Sequence, residues 1–328
     1  MMKRWGMTVL KITVSATLLF VLFGRVDTGE FLKMVSSANP LPIIFAAAVY
    51  GAAQCLSAYR WSTILKDDVE VKYGTLLSMY FIGMFFNNFL PTAVGGDFIK
   101  GYYLYRKTGK GDVASASILM DRYSGFVALM TITLASLLAG WRLVYGIGGA
   151  ALISVFLILI GGFIGASFFL WFEGLHGWFT DMMGKVRLFG LNRKLDTFYR
   201  VFMGYKKRKD VLLKTLLFSF AIQTGVIICY FAVGRGIGMS ISIGWFFLFI
   251  PLATSSAMIP LSLSGLGIRE GVLVFLFTRA GATKEEALSM GIVFFIVILF
   301  ISMAGAFEYV RSGIRKEGIT VAGGTYGN

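Results

Sequence analysis

Long apolar runs alternate along this chain with short polar segments that are mostly basic. The runs cover about Met7–Gly24, Leu41–Tyr59, Gly74–Gly96, Ala114–Ala139, Val144–Phe172, Val211–Gly234, Ile243–Ala280 and Glu286–Tyr309. A helix needs about 20 apolar residues to cross a hydrocarbon core of about 30 Å. In lipid the backbone polar groups must be satisfied within the segment itself, which favours helices. The pattern therefore predicts an all-α integral membrane protein. Two runs are interrupted: Gly74–Gly96 by Asn87, Asn88 and Pro91, and Ile243–Ala280, long enough for two spans, by Pro260, Gly265 and Gly267.

Composition sharpens this picture. Apolar residues make up 57% of the 328 positions and charged residues 15%, against about 25% charged in soluble domains, so the chain lacks the polar surface to face water. Its formal charge of +14 would suit nucleic acid, but the basic residues sit in loops between apolar runs, as the positive-inside rule expects. The largest loop, 173–210, is the most basic and belongs in the cytoplasm. The N-terminal Lys3 and Arg4 and the tail with Arg311, Arg315 and Lys316 put both termini on that side of the cell membrane. Lys11 interrupts the first run and no A-x-A site precedes Arg25, so the first helix is expected to stay uncleaved. Cys55 and Cys229 lie within apolar runs and suggest neither a disulfide nor a metal site, and His176 reads as an interfacial residue.

The loops on both sides of Gly74–Gly96 are basic: Arg60, Lys66 and Lys72 before it, and Lys100, Arg106, Lys107 and Lys110 after it. If both face the cytoplasm, the stretch between them enters and leaves on one side. Ile243–Ala280 mirrors it from outside. These readings predict about six full transmembrane helices plus two broken, re-entrant segments in a single domain, 1–312. Its halves, about 41–139 and 211–309, would form an inverted repeat, with a basic loop at 173–210 and a short tail at 313–328. Transporters built this way place their sites where the broken segments meet. Eight ordinary spans remain the alternative.

The breaks carry the candidate chemistry. The first runs from Asn87 and Asn88 through Pro91 to Gly95, Gly96 and Asp97, and the second from Pro260 through Gly265 and Gly267 to Arg269 and Glu270. Proline ends a helix and glycine lets the backbone turn. A helix restarting after the break would aim free N–H groups at an anion, although a pair of structural kinks would read the same. Asp121 and Arg122 fall inside the Ala114–Ala139 run, where a charge costs about 2.5–3.5 kcal/mol on insertion scales. Neighbours in sequence do not share a helix face, so each is expected to find its partner elsewhere. Arg122 and Arg269 are the expected phosphate ligands, balanced by Asp97, Asp121 or Glu270, and a purely structural ion-pair network is the alternative. Replacing Arg269 with Ala is expected to stop transport and leave folding intact. Arg60 and Trp61 read as an interfacial anchor, and Gln54 as a donor into a cavity. No Walker A motif, metal cluster or paired D-x-x-D pattern is present, so neither cofactor nor metal is expected.

Through Arg60-Trp61, the Asn88–Asp97 stretch, Asp121-Arg122 and the segment from Pro260 to Gly271, the chain resembles the lysylphosphatidylglycerol synthase transmembrane region, also called the flippase-like or UPF0104 family. The resemblance implies movement of a lipid headgroup between leaflets. It withholds synthase activity, because in that family a separate soluble domain attaches the amino acid. The expected partners are membrane lipids, either an anionic phospholipid or a polyprenyl-phosphate lipid, with a homo-oligomer left open. An intramembrane enzyme acting on polyprenyl phosphates and a non-transporting scaffold are the rival readings.

Overall fold

The computed structural model describes residues 20–24, 26–89, 95–146, 203–256 and 266–314, with scattered positions at 13, 17 and between 154 and 168. Its principal helices are α1 (Thr28–Ser36), α2 (Pro40–Leu65), α3 (Tyr73–Phe89), α4 (Gly95–Thr108), α5 (Gly111–Gly146), α6 (Lys209–Gly236), α7 (Ile243–Ser256), α8 (Ile268–Arg279) and α9 (Lys284–Ile314). Among the described residues there is no strand. Four helices, α2, α5, α6 and α9, are long and apolar enough to cross a membrane. Of the six full helices expected, the runs at 7–24 and 144–172 lie largely outside the described residues. So do Pro91, His176, Pro260, Gly265, most of the 173–210 loop and the tail from 315.

Local sequence explains where the helices begin. The Asp27 carboxylate accepts from the amides of Gly29 and Glu30 at 2.8 and 3.0 Å, opening α1. Asn39 caps α2 by accepting from the Leu41 amide at 3.0 Å, and Pro40 fills the first turn, where a missing N–H costs nothing. Thr283 and Glu286 exchange a reciprocal pair, Thr283 N–H to the Glu286 carboxylate at 2.8 Å and Glu286 N–H to the Thr283 hydroxyl at 3.1 Å. This capping box starts α9 at Lys284, two residues before the apolar run suggested.

Packing relates two groups of four, α2–α5 and α6–α9. The first helices of the groups, α2 and α6, pack on each other. Helix α3 packs on α9 and its counterpart α7 on α5; α3–α4 is matched by α7–α8, and α4–α5 by α8–α9. The same exchange maps α2–α3 onto α6–α7, α2–α5 onto α6–α9 and α2–α9 onto α6–α5. The main hydrophobic core lies where the groups meet, around Ala46 and Tyr50 of α2, Tyr230 and Val233 of α6, Phe249 of α7, Phe277 of α8 and Phe294 of α9. Large apolar side chains such as Ile44, Leu217, Phe300 and Phe307 face outward, as helices bathed in hydrocarbon require.

Two of these packings depend on glycine. At the α3–α4 contact a Cβ on Gly96 would run into the backbone carbonyl of Gly83, and at the α3–α9 contact one on Gly305 would run into the carbonyl of Phe81. Small residues are what let membrane helices approach this closely.

One end of the bundle is tied by polar contacts. Arg208, just before α6, donates through both terminal nitrogens to Asp68 at 2.7 and 2.8 Å. The Lys110 ammonium donates to the Asp68 carbonyl at 2.7 Å. The hydrogen bond to Asp68 holds the Arg208 guanidinium above its ordinary value. Burial, reinforced by the Asp68 carboxylate, does the same to the Tyr205 phenol beneath it. Three connections, after α2, after α4 and before α6, are thereby drawn to one aspartate.

Substituting Gly305 with Val pushes α9 off α3 and should lower stability by about 1–3 kcal/mol, the usual cost of overpacking. Thermal unfolding in detergent measures it. Arg208→Met, which cuts a half-exposed bidentate pair, should cost less, about 1 kcal/mol or below, in the same assay.

Candidate functional site

The helix pair α4–α5 builds an ion cluster in the interior. Asp97 and Lys100, one turn apart on α4, face Asp121 and Arg122 on α5, and Arg60 reaches in from α2. Asp121 lies at the centre. Its Oδ1 accepts from Arg60 Nε at 2.9 Å and lies 2.9 Å from Arg60 Nη2, while its Oδ2 receives Lys100 Nζ at 3.0 Å. Lys100 Nζ also lies 3.4 Å from Asp97 Oδ1, and the other Asp97 oxygen accepts from Arg122 Nε. As expected for sequence neighbours, Asp121 and Arg122 find separate partners. Arg122 is eleven residues into α5, about 17 Å along it at 1.5 Å per residue.

Neighbouring polar groups complete the shell. Arg60 Nη1 donates to Ser219 Oγ of α6 at 2.8 Å. The Lys100 ammonium sits 4.7 Å from the centre of the Tyr80 ring and 5.0 Å from that of Trp61, and the Trp61 indole donates to Ser117 at 3.2 Å. Asn87, at the end of α3, accepts from the Gly96 amide at 2.7 Å and so occupies a donor at the start of α4. Three cations, Arg60, Lys100 and Arg122, thus meet two carboxylates, Asp97 and Asp121. The side chains of Arg60, Asp97, Lys100 and Asp121 are buried, whereas that of Arg122 is 38% exposed.

A second charge pair begins α8. Gly267 takes a φ of 86°, a left-handed conformation that suits glycine. It lets the Glu270 carboxylate fold back, so that Oε2 accepts from the Gly267 amide at 2.8 Å. Glu270 Oε1 takes Arg269 Nη2 at 2.6 Å and Nε at 3.0 Å. The two neighbours meet because Glu270 turns back over the helix start instead of standing out from its own face. The Arg269 guanidinium also lies 5.7 Å from the centre of the Phe295 ring.

Both groups border one cavity of about 350 Å³, within the range of about 300–1,000 Å³ typical of ligand sites. Arg60, Asp97, Lys100, Asp121, Arg122 and Arg269 all reach its wall, as do Asn87, Asn88 and Gln54. Of the residues expected at the site, Gly95, Gly96, Gly267 and Glu270 do not line it. Gly96 packs against Gly83, and Gly267 and Glu270 form the cap that holds Arg269 in place. Arg60 is not an interfacial anchor. It is 6% exposed and paired with Asp121, because α2 continues to Leu65 and keeps this position within the bundle interior.

The sequence reading missed Tyr50, Tyr80, Gln223, Tyr230 and Thr254, which share the wall. A signal was present. Tyr50, Gln54, Ser57 and Arg60 recur at intervals of four, three and three, one face of α2, and all four line the cavity. Ser219, Gln223 and Tyr230 lie along one face of α6 in the same way. Polar stripes on otherwise apolar helices mark a wet interior.

Comparison with known proteins agrees with this architecture. Residues 8–305 match the family described as Lysylphosphatidylglycerol synthase TM region. A UPF0104 membrane protein of Methanothermobacter thermautotrophicus is 25% identical, covering 96% of this chain and 98% of its own. Another, from Pyrococcus horikoshii, is 24% identical over 86% of this chain and 90% of its own. With its polar interior, its membrane-length helices and a match across most of its length, the chain is a multi-pass membrane protein that belongs to the lysylphosphatidylglycerol synthase transmembrane-region family.

Proposed function

We propose that this protein is a lipid flippase of the cell membrane, passing an anionic phosphate headgroup through its central cavity while the acyl or prenyl tails stay in the bilayer. The observation that carries this reading is the surplus of positive charge on the cavity wall: Arg60, Lys100, Arg122 and Arg269 reach it against the two carboxylates Asp97 and Asp121, with Arg122 the most exposed of the cluster's three cations. Phosphate oxygens accept from arginine in a fork that fits their geometry. The paired packing of α2–α5 and α6–α9 supports a repeat, here taken as inverted with α3–α4 and α7–α8 as the re-entrant segments, and the basic residues of the termini and loops favour both ends in the cytoplasm. Rocking one half against the other would expose the cavity to each leaflet in turn. No covalent change to the lipid is involved.

The residue to test is Arg122. Removing Arg269 instead would strand Glu270, which is fully buried, so the effect of Arg269→Ala on transport would be mixed with a loss of stability.

Arg122→Gln should remain monodisperse yet slow the movement of an anionic headgroup in proteoliposomes by about ten-fold or more, as expected for a lost charged hydrogen bond of about 1.5–3 kcal/mol. Wild-type rates in this variant would sink the reading. Asp121→Asn should behave differently. It leaves Arg60 and Lys100 facing each other without their shared counter-ion and should cost about 3–5 kcal/mol of stability, visible as early unfolding in detergent.

A further inference from the structure

The charged groups on the cavity wall are already engaged, and many of the neutral ones are not. Each carboxylate near the cavity holds the cations it can reach. Asp97 has Lys100 and Arg122, Asp121 has Arg60 and Lys100, and Glu270 has Arg269 together with the Gly267 amide. The aromatic faces near these cations are likewise taken: Trp61 and Tyr80 by Lys100, and Phe295 by Arg269. An incoming ammonium would have to displace a fixed cation to reach a carboxylate or one of these rings, and it would enter a wall that already carries surplus positive charge.

The neutral polar groups are in the opposite condition. The hydroxyls of Tyr50, Tyr80, Tyr230 and Thr254 and the carboxamide of Gln54 line the cavity and make no hydrogen bond to another described residue. Asn88 Nδ2 is buried there without a partner. Hydroxyls and carboxamides both donate and accept, so these groups at the cavity wall are open to a ligand or to water, while the buried Asn88 Nδ2 carries the cost of about 1–3 kcal/mol of an unmade hydrogen bond. A ligand rich in hydroxyls answers all of them at once, because each of its hydroxyls also donates and accepts.

We propose that the headgroup taken by this cavity is a phosphodiester bearing a neutral polyhydroxyl group, such as glycerol or inositol, and that headgroups bearing an ammonium are rejected. This rests on the transport reading above and narrows it. The phosphate lies against Arg122, and the polyol spreads over the Tyr50, Gln54 and Tyr230 side of the wall.

The test uses the full chain reconstituted in vesicles containing a trace of tail-labelled phosphatidylglycerol, phosphatidylinositol, phosphatidylethanolamine or lysyl-phosphatidylglycerol. Headgroup movement is followed by loss of signal to an impermeant quencher. The first two lipids should move about ten-fold faster than the last two, which corresponds to about 1.4 kcal/mol. Equal or faster movement of either ammonium lipid overturns this proposal and leaves the transport reading standing. No movement of any lipid above protein-free vesicles overturns both. In a Gln54→Leu variant shown to be monodisperse, the rate for phosphatidylinositol should fall about ten-fold further than the rate for phosphatidic acid, whose bare phosphate has no polyol to hold. Parallel loss of the two would overturn the assignment of the neutral wall.

Discussion

A carboxylate shared by two cations in the middle of a membrane protein is the constraint around which this molecule is arranged. Asp121 draws Arg60 from α2 and Lys100 from α4 onto a single residue of α5, and through Lys100 it reaches Asp97 and Arg122. Taking one ion from water to a medium of low dielectric costs several kcal/mol even after relaxation. The cluster is therefore tolerated because its members neutralise one another, Asp121 most of all. That requirement fixes the rotation of α2, α4 and α5 about their own axes more tightly than greasy packing could, since one apolar contact in oil is much like another.

The close glycine contacts serve the same end. α4 is short, 14 residues, and could not hold its charged face against α5 unless its other side lay tight on α3. Gly83 and Gly96 provide that approach, and Asn87 ties the end of α3 to the beginning of α4. In the second group the corresponding role falls to Gly267 and Glu270, where the Gly267 amide donates to the Glu270 carboxylate, fixing the start of α8 while the same carboxylate holds Arg269 at the cavity wall. At the described ends of the stretches read from sequence as candidate anion-binding turns, the Gly96 and Gly267 amides are thus already taken by Asn87 and Glu270.

Much of the fold was legible in the chain, because a helix in lipid must announce itself as a run of apolar residues. The spans at α2, α5, α6 and α9 follow from that rule alone. Boundaries were less readable. Helix α2 continues six residues past Tyr59 and α5 seven past Ala139, since a helix packed on neighbours does not need to stop where hydropathy falls. At the site, Asp97, Asp121, Arg122 and Arg269 stood out because ionised groups in apolar runs demand an explanation. Arg60 did not, because it sits near the end of its run, where an anchor would look the same. The tyrosines and Gln223 escaped notice because a neutral polar residue in a membrane helix is common, and only its periodic recurrence with others sets it apart.

The two groups of helices share their pattern of contacts but not their electrical content. Helix α5 carries Asp121 and Arg122 in its interior, whereas its counterpart α9 has no charged residue between Ala287 and Phe307. An object made of matched mechanical parts would sit equally well in either of its two mirrored postures. On the transport reading proposed above, unequal charge would lift that degeneracy, with one posture lower when the cavity is empty and a bound anion, by drawing on the richer half, changing the gap. The direction in which such a device would rest would then be set by where its ions were placed and not by how its helices pack.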